Sequence, residues 1–138
     1  MVPKTLKEVS QRLLEEDGEY HPVFLKEFLD QFLRPDLSAE ERQRRIEEEP
    51  LWLDRDWVNV FLAGVAEHLA WQFDLSVPKW VEHPNRFLKT PLIFGGSGSS
   101  KRMAFLFTPS AFRRRLLFCG QIEFKTHRWK KPCSTGQK

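Results

Sequence analysis

Between Arg55 and Phe73 the chain carries a broad apolar face at helical spacing, and this stretch constrains the fold more than any other. Val58, Phe61, Leu62, Val65, Leu69 and Phe73 recur with the period of a helix, while Ala63, Ala66 and Ala70 allow a neighbour to approach closely. Asp54 stands in front of it as a capping residue. A helix with so few polar interruptions must be covered by other elements, so 55–73 is read as the central rod of the domain. Its one embarrassment is Glu67, because a carboxylate taken out of water needs a cation or hydrogen-bond donors. The run Arg113, Arg114, Arg115 is the obvious supply, since a guanidinium can grip a carboxylate with two parallel bonds. A structural Glu67–arginine pair is therefore expected. Which arginine makes it is not legible, because adjacent helical residues point in different directions.

The segments around this rod are also helical in pattern. Leu6, Val9, Leu13 and Leu14 make one face of a helix over 5–16, which Gly18 ends. Pro22 opens a second helix over 22–33, striped with Phe24, Leu25, Phe28, Leu29 and Phe32 and stopped by Pro35. Ser38 and Glu41 form a capping-box pattern ahead of a third helix, 39–48, closed by Pro50. That helix is almost wholly charged apart from Ile46, and is expected to be a solvated connector. Val77 to Val81 should leave the central helix in an extended or turn conformation.

Beyond residue 90 the pattern loosens. Leu92, Ile93 and Phe94 suit a packed loop or a short strand, and Leu116, Leu117 and Phe118 are ambiguous between helix end and strand. Short helices are expected over 101–107 and, after Thr108 and Pro109, over 109–115, with Phe105, Leu106, Phe107 and Phe112 read as core. The expected architecture is mainly α: a compact helical bundle around the central helix, an irregular C-terminal third and at most a short strand or two. A single domain would span 1–124, followed by a basic, flexible tail over 125–138. With 41% hydrophobic residues, twelve Phe and five Trp, a core needs no staples. No run of about 18 apolar residues is present. The start holds no apolar stretch with a cleavage site, and Cys119 and Cys133 form no disulfide framework, so free thiols in a reducing cytoplasm are expected.

Chemical motifs are scarce. Gly95 to Lys101 looks like a phosphate-binding loop, but Ser100 rather than Gly precedes Lys101 and Arg102 stands where a magnesium-binding hydroxyl is required. A mobile loop is the better reading. His21, His68, His83 and His127 are not paired at helical spacing, and the two cysteines lie 14 positions apart, so neither a metal site nor a cofactor is expected. No nucleophile–base set stands out, and an enzyme would require a site assembled from distant residues.

Charge is distributed unevenly. Residues 1–56 carry nine basic and fifteen acidic side chains, 57–100 three of each, and 101–138 ten basic side chains against Glu123 alone. A basic end of this kind suits a partner surface or nucleic acid. In the nucleic-acid reading Lys101, Arg102, Arg113, Arg114, Arg115, Arg128, Lys130 and Lys131 would contact phosphate, with nearby rings to stack on bases.

Three blocks taken together are familiar: Ala66-Glu67-His68-Leu69-Ala70, then Val77-Pro78 with Trp80-Val81, then Thr108-Pro109 with Ala111-Phe112-Arg113-Arg114-Arg115. The set resembles an uncharacterised bacterial domain found alone or behind a helix-turn-helix in toxin–antitoxin-like neighbourhoods. The resemblance covers roughly residues 5–124 and brings with it no catalytic residues. It implies a non-enzymatic interaction protein, the antitoxin-like or accessory member of a two-gene system, with Trp80, Arg113, Arg114 and Arg115 as the surface that anchors a partner protein.

Overall fold

The computed structural model describes residues 2–94, 102, 104 and 106–120. Thr5 starts the first helix, α1 (Leu6–Glu16): its hydroxyl accepts from the Glu8 N–H at 3.1 Å, and the Glu8 carboxylate reaches back to the Lys4 N–H at 2.7 Å. Gly18, at φ 78°, closes the helix by donating to the Leu13 carbonyl at 2.8 Å, a backbone conformation that glycine takes without steric penalty. Helix α2 (Pro22–Phe32) has proline in its first turn, packs against α1, and buries Phe24, Leu25, Phe28, Leu29 and Phe32.

Helix α3 (Ala39–Glu47) departs from its expected role. Ser38 does cap it, accepting from the Glu41 N–H at 3.1 Å. Glu41, however, does not complete a capping box: it turns to Arg44 and Arg45, which hold its carboxyl down at about 2. Nor is the helix a mere solvated connector, because Ile46 is fully buried. Arg42 donates to the Phe32 and Arg34 carbonyls at 2.9 and 2.6 Å and lies 4.4 Å over the Phe73 ring. One guanidinium thereby satisfies carbonyls at the end of α2 that have no partner within that helix.

Helix α4 (Asp56–Gln72) is the central element, buried almost all round from Val58 to Ala70. Its cap position is Arg55, with no side-chain cap bond, rather than the anticipated Asp54. The entry is fixed from inside instead. Asn59 is buried and exchanges two bonds with the Leu53 backbone, accepting at 2.8 Å and donating at 2.9 Å. A close approach to α4 is made at Gly64. Phe112 sits against it, and a Cβ built on Gly64 would lie 2.5 Å from the Phe112 ring. Phe112 also stacks on Phe61, centroids 5.5 Å apart. Asp74, at φ 57°, reverses the chain as α4 ends.

Two 3₁₀ turns follow, Lys79–Glu82 and Pro84–Arg86, both packed on α4. Strand β1 (Leu92–Ile93) pairs in parallel with β2 (Leu117–Phe118), Leu92 opposite Leu117 and Ile93 opposite Phe118. Between them lie helical positions at 102, 104, 106 and 107, and the short helix α5 (Ser110–Arg113), which packs on α4. The architecture is mainly helical, as expected, with two very short strands. Among the described residues no helix is long and apolar enough to cross a membrane. The Gly95–Ser100 loop, Phe105, Cys133 and the 125–138 tail lie outside the described residues; Cys119 is buried.

Replacing Gly64 by alanine forces the Phe112 ring and α5 away from α4. The G64A protein is expected to lose about 1–3 kcal/mol of stability in denaturant unfolding; an unchanged midpoint would mean that the ring gives way freely.

Candidate functional site

Glu67 lies in the middle of α4, only 4% exposed, on the side covered by α5 and the 79–82 turn. Arg115 donates to its Oε1, and Arg114 donates to the same oxygen at 3.2 Å. Arg115 is fully buried and also donates to the Ala111 and Val81 carbonyls, each at 2.8 Å, while its Nε–H has no partner. Arg114 is different: its side chain is 38% exposed, and its other nitrogen reaches both oxygens of Glu82 at 3.1 and 3.2 Å. Both guanidinium groups lie over the Phe87 ring, at 4.6 Å for Arg115 and 5.0 Å for Arg114. Helix α5 ends at Arg113, and Leu116 adopts a left-handed φ of 63°, so the chain turns sharply where the arginine run passes α4. Burial pulls the Arg115 guanidinium below its ordinary pKa and the Glu67 carboxylate opposes that pull. Two charges removed from water are tolerable because they are hydrogen-bonded to each other, Glu67 to both arginines and Arg115 to backbone carbonyls as well.

A second buried cation has no counterpart in the sequence reading. Arg86 is fully buried between two indoles, 3.8 Å from the Trp52 ring and 5.0 Å from the Trp80 ring. It donates to the Asn59 carbonyl at 3.2 Å, the Pro50 carbonyl at 3.0 Å and Glu49 at 3.2 Å. Its environment is assembled from α4, the segment ahead of it and the 79–86 turns. The only hint in the sequence is that Arg86, the sole arginine between Arg55 and Arg102, stands close to Trp80.

These two clusters meet in the 79–82 turn. Trp80 donates its indole N–H to the Ile46 carbonyl at 3.1 Å and faces Arg86; Val81 offers its carbonyl to Arg115; Glu82 binds Arg114. Trp80 is consequently a half-buried packing residue rather than a free anchor, because both its N–H and its ring are engaged internally. Arg115 is likewise removed from the surface, for partner and phosphate alike, by its burial on Glu67. Arg113 is half-buried, its guanidinium 5.7 Å over Phe118. Arg102 is exposed. Lys101, Arg128, Lys130 and Lys131 lie outside the described residues.

The largest correction concerns Leu106 and Phe107. Read as core, they are 64% and 51% exposed, whereas Phe112 is buried as anticipated. The reason is helical phase. Ala104 and Thr108, four apart, face inward; the Thr108 hydroxyl donates to the Ala104 carbonyl and accepts from the Gly120 N–H at 2.8 Å. With that side anchored, Leu106, two positions from each, projects away from it; Phe107 is exposed although it follows Ala104 by three positions, beside the buried side rather than opposite it.

His68 is half-buried beside Glu67, its ring 6.2 Å from Phe112, and burial lowers its pKa from 6.5. Among the described residues no group of three His, Cys, Asp or Glu side chains is placed to hold a metal. No family model, no curated protein and no solved structure matches the chain.

Breaking the buried pair from either side should be severe. E67Q and R115M are each expected to cost about 3–5 kcal/mol in denaturant unfolding, and the apolar double variant E67L/R115M less than the sum of the two single changes. Strict additivity would show that the pair is not coupled. Protonation supplies a second check. Because the folded state holds His68 below its unfolded pKa of 6.5, the unfolded chain binds the proton better. Stability should therefore fall as pH drops from 6.5 toward 4.5, a slope that H68Q flattens; the depressed carboxylates Asp17, Glu19, Asp36 and Glu41 contribute only at lower pH.

Proposed function

We propose that the chain is a non-enzymatic interaction protein, antitoxin-like or accessory in a bacterial two-gene system, that docks a partner protein through the apolar surface at Leu106 and Phe107. The observation that carries this reading is the exposure of those two adjacent large side chains, 64% and 51%, on a segment held to the core through Ala104 and Thr108. Contiguous apolar surface of that kind is characteristic of binding sites. Arg114, partly exposed and held in position by Glu67 and Glu82, supplies a pre-ordered guanidinium, a group enriched at interfaces.

The other two readings lose support from the same geometry. Glu67, the carboxylate best placed for acid–base work, is enclosed by Arg114 and Arg115. Direct phosphate binding by the arginine run is weakened in the same way, since Arg114 and Arg115 already answer Glu67 and Glu82.

A tagged full-length chain purified from its native host is expected to bring down one protein in stoichiometric amount. L106S and F107S should each weaken that complex about tenfold or more, the loss of roughly 1.4 kcal/mol of apolar burial, without lowering the unfolding midpoint. Purification of the chain alone, or a complex indifferent to both substitutions, would overturn the reading.

A further inference from the structure

His83 stands where the two 3₁₀ turns meet, and its backbone and ring together join them. Its backbone N–H donates to the Trp80 carbonyl at 3.1 Å and closes the first turn; its carbonyl accepts from the Arg86 N–H at 2.8 Å within the second. Its side chain caps that second turn, the ring Nδ1 accepting from the Asn85 N–H at 3.0 Å. A ring nitrogen accepts only through a free lone pair, so this bond requires neutral imidazole with its proton on Nε2. The side chain is exposed, open to protons from solvent, and its ring lies edge-to-face with Trp52, centroids 5.2 Å apart. Trp52 is in turn the indole that covers the buried Arg86 guanidinium at 3.8 Å, and it is itself 42% exposed.

We infer that His83 is a proton-operated latch on the Trp52–Arg86 stack. Neutral, it caps the 84–86 turn and backs Trp52. Protonated, its Nδ1 becomes a donor and the Asn85 N–H loses its acceptor. A second cation is then brought beside the indole that already stacks on Arg86, where like charges repel. The carboxylates around it are taken: Glu49 is bound to Arg86 at 3.2 Å, and Glu82, its neighbour in the chain, to Arg114 at 3.1 Å. The direction follows. The latch is closed at high pH and opens as pH falls through the range, about 8 to 5, in which imidazole takes a proton. Opening is local, because Arg86 keeps the Asn59 and Pro50 carbonyls and Glu49 as acceptors in either state of His83. What is released is Trp52, so the surface around it differs between neutral and acidic surroundings.

The test uses the full chain. Acrylamide quenching of Trp52, read as the difference between the wild type and W52F, is expected to rise about twofold or more between pH 8 and pH 5. Helical circular dichroism should hold steady over the same interval. H83N keeps a side-chain acceptor at the cap position but has no proton to take up, so it should abolish the rise while leaving the fold intact. H68Q removes the other histidine near the core and should leave the rise in place. Nitrogen-15 spectra of the wild-type imidazole need no variant: above its titration the ring of His83 is expected to carry its proton on Nε2, and the Asn85 amide resonance to move with the ring as pH falls. A neutral ring protonated on Nδ1 would overturn the inference, as would an Asn85 amide indifferent to the titration. So would a quenching change that persists in H83N, is lost in H68Q, or appears only as helical signal is lost, since each assigns the opening to another group or to the whole fold.

Discussion

A carboxylate in the middle of a helix buried on nearly all sides is tolerable only if the charge is met inside the protein, and Glu67 sets this requirement for the whole C-terminal half. Taking an unpaired ion out of water costs several kcal/mol even after relaxation. The demand is met by Arg115, itself fully buried, and by Arg114 at the margin. To deliver both, the chain must bring α5 across α4, which in turn seats Phe112 against Gly64. The left-handed turn at Leu116 then sends the backbone into β2. The short parallel pairing with β1 follows from where the arginine run has to pass.

The 79–82 turn ties this ion pair to the other half of the molecule. Three successive residues serve three different needs: Trp80 covers Arg86 and donates to α3, Val81 offers a carbonyl to Arg115, and Glu82 holds Arg114. Arg86 in turn gathers carbonyls and a carboxylate from the segment between α3 and α4. Two buried guanidinium groups, each hydrogen-bonded to main chain, therefore join loops that have little apolar surface of their own. Such sites are demanding, because every donor left without an acceptor in a low-dielectric interior is penalised.

This arrangement divides the arginine run by function. Arg115 faces inward and belongs to the scaffold. Arg114 spans the boundary between the buried carboxylate and solvent. Leu106 and Phe107 are the most exposed of the large apolar side chains among the described residues, on a segment that Ala104 and Thr108 hold to the core.

The helical periodicities of the first 73 residues, the proline and glycine punctuation at Pro22 and Gly18, the cap at Ser38 and the need of Glu67 for an arginine were all legible in the sequence, because each depends on spacing along one segment. What tertiary structure alone decided depends on phase and approach between segments. The sequence pattern did not distinguish Arg114 from Arg115 as Glu67's buried partner, since that depends on the turn after α5. Trp80 was legible as an important aromatic but not as the cover of Arg86, and Leu106 and Phe107 read as core because apolar character says nothing about which side of a short helix faces in. Thr108 holds the segment by donating to the Ala104 carbonyl four residues back and accepting from the Gly120 N–H twelve residues on, and the second of these bonds has no local signature.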